Sequence, residues 1–359
     1  MVNTTANPIK EYYIAYFDLL GYKEYFANNP GKVSEFLNTI NTAIYKTENY
    51  IQSINNSLIA QNVANLNIYT KIFSDNILLC TEVENSSYEK GKILSFMTVV
   101  SEIQRGFILQ CGLFLRGGIV KGELSFNQDF IYGQGLIDAV ELESETVYPR
   151  IAVSKEIVSY LCNIQLYTRE EANRANQIEE ASKNGEEIKS EDYQFYQEML
   201  AKANKEQLCL KWINTLIYKW NDGEFSLSYL SHIKLDDFID AETLNQIKGY
   251  LNEILPDEQK EMLNQISSDD DILSELKLHR MQIETKLKQY GRYDDINSDN
   301  FKKAELRERI LKKYIWVMAY HNDMCRLYNL TNEMISTICN CDRRFMRMTI
   351  EVINNEARV

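Results

Sequence analysis

Apolar residues run almost unbroken from Tyr12 to Leu20, the density of a buried β-strand. One position interrupts the run. Asp18 would place a carboxylate in a core strand, which is costly unless a charge or metal compensates. From Val33 the apolar positions Phe36, Leu37, Ile40, Ile44, Ile51 and Ile54 keep helical spacing, and the turn-like SINNS closes the pattern. Two strands follow, 68–73 and 77–80, joined through the turn-forming Ser74, Asp75 and Asn76. A helix is expected from about Tyr88 to Gln110, with Ile93, Leu94, Met97, Val100, Ile103 and Phe107 on one face. The strand region 113–124 contains Gly117 and Gly118, which mark a bulge or a close backbone approach. A helix over 133–145 and a short strand over 150–154 complete this half.

The order is strand, helix, hairpin, helix, strand, helix, strand. It predicts an α+β fold in the split β-α-β arrangement, a ferredoxin-like antiparallel sheet carrying helices. In such a sheet the end of the first strand and the hairpin turn can lie side by side. Asp18 and Asp75 would then point into one place. The second half changes character. Residues 168–206 are charged, Ala-rich and helical, an insertion with a solvated surface. Residues 211–232 return to an apolar, strand-like pattern and are expected to rejoin the sheet, and 236–348 read as helical. SSDDD at 267–271 is a helix start rather than a calcium loop, because the required glycine and terminal Glu spacing are missing. The expected organisation is therefore a core over 1–165, a charged helical insertion over 166–206, a strand region over 207–235 and a helical C-terminal region over 236–359.

Composition narrows the partners. The 359 residues are 45% hydrophobic and 25% charged, an ordinary globular balance. A formal charge of −13 favours a soluble cytoplasmic protein and opposes stable nucleic-acid binding, which wants a basic face. A basic pocket for one small phosphate compound stays compatible with it. The seven cysteines are scattered without a Cys-x-x-Cys, as reduced thiols are, and CNC at 339–341 lacks partner ligands for zinc. No apolar run approaches the roughly 20 residues that span a bilayer, so no membrane association is expected.

Two carboxylates at adjacent strand ends repel unless a divalent cation sits between them. Such pairs hold magnesium or manganese together with triphosphate oxygens. The plainer alternative makes Asp18 a helix or turn cap and Asp75 a turn aspartate. YFDLLGY (16–22), FSDNILL (73–79), FLRGGIVKGEL (114–124), IYGQGLIDAVELE (131–143) and YPRIAVS (148–154) together resemble the class III nucleotidyl cyclase core. More narrowly, they resemble the pyrimidine cyclases of bacterial Pycsar antiphage systems. The resemblance covers residues 12 to about 160 and extends faintly to SLSYL (226–230) and KKYIWVMAYHN (312–322). It implies a class III cyclase palm and a homodimer with active sites between the subunits. Asp18 and Asp75 would be the ligands of two divalent cations, Mn2+ or Mg2+, with Leu19 offering its backbone carbonyl. The substrate would be a pyrimidine nucleoside triphosphate, UTP before CTP, converted to the 3′,5′-cyclic monophosphate and pyrophosphate. The product would activate a separate effector and abort phage infection, and the helical part from 160 to 359 would brace the dimer or sense a phage cue.

Departures from the family pattern sharpen the reading. Purine cyclases read the base with Lys or Glu six residues before the second metal aspartate, and here that residue is Tyr69. The second base-reading position falls on Phe130. This aromatic arrangement favours a pyrimidine. The Asn and Arg that ordinary cyclases carry on the following helix become Ile137 and Glu141, which marks either the pyrimidine branch or a lost activity. Arg116 is the first candidate for phosphate contact, with Lys121, Arg150 and Lys219 as further cations. Glu123 is read as a contact with a partner subunit or the site rather than as a ligand, and His321 as a structural histidine. A purine cyclase, or a cyclase-like module that binds nucleotides without turnover, remain as alternatives.

Overall fold

The computed structural model describes residues 8–23, scattered positions between 27 and 45, and 66–84, 89–126, 131–163, 168–185, 188–220, 222–231, 269–290 and 301–327. Within them β1 (Lys10–Leu20), β2 (Tyr69–Phe73), β3 (Asn76–Glu82), β4 (Phe114–Phe126), β5 (Ile131–Tyr132), β6 (Ile151–Val153), β7 (Ile217–Lys219) and β8 (Phe225–Leu227) form an eight-stranded sheet. The hydrogen-bonded order is β2-β3-β1-β4-β6-β8-β7, with β5 paired to β4. Only β4 and β6 run parallel among the described pairs. The helices are α1 (Glu89–Gly106), α2 (Gln134–Glu145), α3 (Lys155–Cys162), α4 (Arg169–Lys183), α5 (Ser190–Leu216), α6 (Asp269–Tyr290) and α7 (Phe301–Leu327). A π-helical turn, Phe107–Cys111, continues α1. The molecule is an α+β protein. The helix expected from Val33 falls largely outside the described residues, as do Phe130 and 339–341.

The unbroken apolar run of β1 follows from its position. It lies between β3 and β4 with both faces covered from Tyr12 to Ala15, so both side-chain rows are apolar there, and cover thins toward Asp18. Tyr13, Ala15, Phe17 and Leu19 pack with α1, whereas Tyr12 and Ile14 pack toward α2. Helix α1 buries more than the single face its periodicity suggested, because it is enclosed between the sheet and α5. Phe96 and Val99 are fully buried there, and Trp212 Nε1 donates to Thr98 Oγ1 at 3.3 Å.

Gly117 and Gly118 mark a close approach and no bulge, since the β1–β4 register runs through them without a break. A Cβ at Gly117 would lie 2.5 Å from Phe17 Cβ, and one at Gly118 2.9 Å from Leu142 Cβ. Helix α2 touches the sheet still more tightly at Gly135. A Cβ there would meet Ile14 Cδ1 at 2.4 Å and the Gly122 carbonyl carbon at 2.9 Å. Gly135, Ala139 and Glu143, spaced by four, are the buried stripe of α2.

The second half rejoins the sheet through the β7–β8 hairpin, with β8 against β6. The stretch 211–216 is the end of α5 rather than strand. Ile213 and Leu216 keep helical spacing into the α1 core, and alternation begins only at Ile217. Helix α3, capped by Ser154, escaped the reading of the sequence. A second core joins the strand ends to the C-terminal helices. Phe114, Tyr218, Trp220 and Tyr229 pack there with Tyr314, Trp316, Val317 and Tyr320 of α7. Its centre is polar and satisfied. Tyr229 Oη meets His279 Nε2 at 3.0 Å, His279 Nδ1 meets His321 Nδ1 at 3.1 Å, and His321 Nε2 meets Cys325 Sγ at 3.4 Å. One consistent assignment has Tyr229 donating and each ring passing a single proton onward.

Candidate active site

The β2–β3 hairpin turns through Ser74 and Asp75, with Phe73 paired to Asn76. Ser74 takes the left-handed backbone region at φ 59°, which tight two-residue hairpins require. The amide of Leu19 donates to the Asp75 carbonyl at 2.9 Å and ties the turn to β1. Asp18 stands opposite Asn76 on one side and opposite Arg116 on the other. The register therefore brings Asp18 and Asp75 to one place.

Their surroundings are built from the same sheet face. Tyr16 Oη donates to Asn76 Oδ1 at 2.8 Å, and Asn76 Nδ2 donates to Asp75 Oδ1 at 3.4 Å. Burial raises the Tyr16 phenol, helped by the charges of Glu143, Asp18 and Asp75, so Tyr16 stays a donor. Burial also raises the Asp18 carboxyl, and the Asp75 charge adds to the rise, while Arg116 and Lys313 oppose it. Arg116 Nη2 lies 3.9 Å from Asp18 Oδ2 and pairs more closely with Glu143 of α2. Glu143 is 6% exposed, and burial pushes its carboxyl up against the pull of Arg116. Arg116 Nε has no hydrogen-bond partner among the described residues. Three carboxylates thus share one pocket with one guanidinium and, from α7, the half-buried Lys313.

Other expected residues lie elsewhere. Tyr69 shares this sheet face but pairs with Cys80, four residues along β3 from Asn76, roughly 13 Å away along the strand. Lys121 is five residues from Arg116 on β4, so alternation puts it on the opposite face, where it pairs with Glu11 at 3.3 Å. Arg150 is buried against Asp222 in a two-pronged ion pair. Lys219 belongs to the far edge of the sheet and lies over the Phe225 ring. Glu123 is exposed at the other end of β4, and Ile137 and Glu141 sit on the outer face of α2. The structure gives His321 two ring partners in the second core, away from the carboxylates. Sequence reasoning missed Tyr16, Asn76, Glu143 and Lys313. Only Glu143 carried a local signal, as the next step in the Gly135, Ala139 stripe.

The chemistry of Asp18 and Asp75 fits a divalent cation that would be only partly enclosed by protein. Among the described residues no group of three or more His, Cys, Asp or Glu side chains is arranged to enclose an ion. Magnesium-type sites use one or two carboxylates and complete the shell with water and phosphate oxygens, and Asp18 with Asp75 supplies that number.

No family model matches the chain, and no curated protein matches it. Solved structures do. The guanylyl cyclase Cya2 is 17% identical, over 43% of this chain and 79% of that one, with a TM-score of 0.31. The adenylyl cyclase CyaB from P. aeruginosa is 16% identical, over 44% and 83%, with a TM-score of 0.30. A class III adenylyl cyclase-like ATP-binding protein from Pseudomonas aeruginosa is 10% identical, over 44% and 37%, with a TM-score of 0.29. Each likeness spans less than half of this chain.

Proposed function

We propose that the chain is a homodimeric nucleotidyl cyclase that converts a pyrimidine nucleoside triphosphate, UTP before CTP, to its 3′,5′-cyclic monophosphate and pyrophosphate. The observation that carries this reading is the register that seats Asp18 beside Asp75 and across from Arg116. In the reaction the 3′-oxygen bonds to the α-phosphorus as the bond to the pyrophosphate oxygen breaks, and the hydroxyl proton is released. Two divalent cations would lower the hydroxyl pKa and neutralise the triphosphate. Asp18 and Asp75 would hold them. Tyr16 and Asn76 orient the Asp75 carboxylate, and Arg116, positioned by Glu143, would supply guanidinium charge against the developing phosphate charge.

Exposed apolar side chains support a second copy as partner. Tyr69 and Phe73 on β2 and Ile137 and Val140 on α2 are all exposed. Tyr69, with Phe130 beyond the described residues, carries the pyrimidine preference. By resemblance, the product would signal to a separate effector in antiphage defence. Among the described residues no helix is long and apolar enough to cross a membrane. A second reading, nucleotide binding without turnover, is favoured by the Ile137 and Glu141 positions, where family members carry a polar pair.

Purified protein incubated with each of ATP, GTP, CTP and UTP plus Mn2+, followed by chromatography, tests the proposal. A cyclic pyrimidine nucleotide should form, and Asp18→Asn or Asp75→Asn should abolish it while the circular dichroism spectrum is retained. No cyclic product from any of the four, with nucleotide binding unchanged in both variants, sinks the enzyme reading. A cyclic purine as main product refutes the role given to Tyr69.

A further inference from the structure

We propose that Lys313, carried by the C-terminal helix α7, is a polyphosphate-binding residue of the site built on Asp18 and Asp75. The inference rests on the nucleotide-site reading above and deepens it, because it makes the C-terminal layer part of that site. The seat of α7 is specific. Tyr314, the next residue, packs edge-on against Phe114 with ring centroids 5.4 Å apart. Phe114 and Arg116 are two apart on β4 and so share a sheet face. Leu20, paired with Phe114, packs into the same cluster. One turn further along α7, Trp316 stacks on Tyr148 at 5.3 Å, just beyond the end of α2 that carries Glu143. Lys313, Trp316 and Tyr320 fall on one helical stripe, whose aromatic members are buried and whose first member reaches the strand ends.

At that place the ammonium is half-buried, repelled by Arg116 and by Arg309 one turn back on α7, and attracted by Asp18 and Glu143. Among the described residues it closes no ion pair. The local charges are the carboxylates of Asp18, Asp75 and Glu143 against the cations Arg116, Lys313 and the exposed Arg309. Divalent cations bound at Asp18 and Asp75 would neutralise those carboxylates, and Glu143 is already matched by Arg116. Lys313 is then the half-buried positive charge left over at the strand ends, Arg309 being exposed to solvent, beside the cations that would carry the triphosphate. A lysine serves phosphate as a movable point charge, and a desolvated one gains more from the pairing than an exposed one.

The test uses the full chain and the variants Lys313→Ala, Lys313→Gln and Lys313→Arg. Affinity for inorganic tripolyphosphate and for UTP with Mn2+ is measured by calorimetry, alongside kcat, KM and Tm. Loss of one charge-assisted contact should weaken tripolyphosphate and raise the KM for UTP roughly ten- to a hundredfold. Uridine affinity should be unchanged, and Lys313→Arg should restore most of the loss. Unchanged triphosphate affinity in folded Lys313→Gln overturns the inference, even if Tm moves, and marks Lys313 as a structural counter-ion. Lysine-dependent tripolyphosphate binding without any cyclic product overturns cyclisation and leaves this inference standing. A parent chain that binds no triphosphate overturns both.

Discussion

Arg116 is the cation on which the buried carboxylates depend, so its removal should register in stability before any substrate is added. The perturbation is Arg116→Met, which keeps the aliphatic stem and deletes the charge. At the 3.9 Å separation from Asp18 the raw Coulomb attraction is about 4 kcal/mol at an effective dielectric near 20. Desolvation cancels much of it. Stripping one partner from a fully buried pair costs ~3–5 kcal/mol, because the other charge stays buried and uncompensated. The Arg116 and Glu143 side chains are 23% and 9% exposed, which places the expected loss at about 2–3 kcal/mol.

The pH dependence distinguishes this cause from a packing defect. Burial already raises the Glu143 and Asp18 carboxyls above their ordinary values of 4.5 and 3.8. Without Arg116 both must rise further. A carboxyl whose folded pKa exceeds its unfolded one holds a proton that the unfolded chain releases, so stability falls as pH rises through the folded value. The cost of Arg116→Met should therefore be full at pH 8 and shrink toward pH 5. Thermal unfolding in EDTA at both pH values reads it, with a Tm drop of about 5 °C expected at pH 8. Glu143→Gln in the same chain should recover at least half of the loss. A pH 8 stability within about 0.5 kcal/mol of the parent, or an equal loss at pH 5 and pH 8, would refute the reasoning.

Gly135→Ala should cost about 1–3 kcal/mol, since its methyl enters the space of Ile14 Cδ1 and the Gly122 backbone. An unchanged Tm would mean that α2 does not rest on β4 at this point. The buried His279 has its pKa held well below 6.5 by desolvation, with the His321 ring adding to it. The unfolded chain takes up this proton below pH 6.5 and the folded one does not, so stability should fall with acid by up to about 1.4 kcal/mol per pH unit. His279→Gln should flatten that slope relative to the parent in denaturant titrations at pH 5.5 and 6.5; an identical slope would remove the ring from the acid response.

What the chain discloses without coordinates depends on how far apart the cooperating residues lie. The juxtaposition of Asp18 and Asp75 was legible because each interrupts or ends a local pattern. Asp18 breaks an apolar run, and Asp75 sits in a turn between two strands whose pairing brings it back to Leu19. The glycines spoke for the same reason, although only the register could choose close approach over a bulge. Lys121 shows the opposite case. Its charge beside the motif suggested phosphate contact, yet the two-residue period of a strand turns it to the other face. Glu143 reads as one acid in the ordinary surface-like string ELESE, and only the Gly135, Ala139 stripe tells that it faces inward. Lys313 had no local signal at all, because its position is set by Tyr314 against Phe114, two hundred residues away in the chain. The meeting of Asp18 and Asp75 was therefore open to reading in sequence, whereas Glu143 and Lys313, which bear on their charge, are placed by helices docking on the sheet. Under the proposed function the first pair would hold the ion, and the second would set how much charge the site accepts with it.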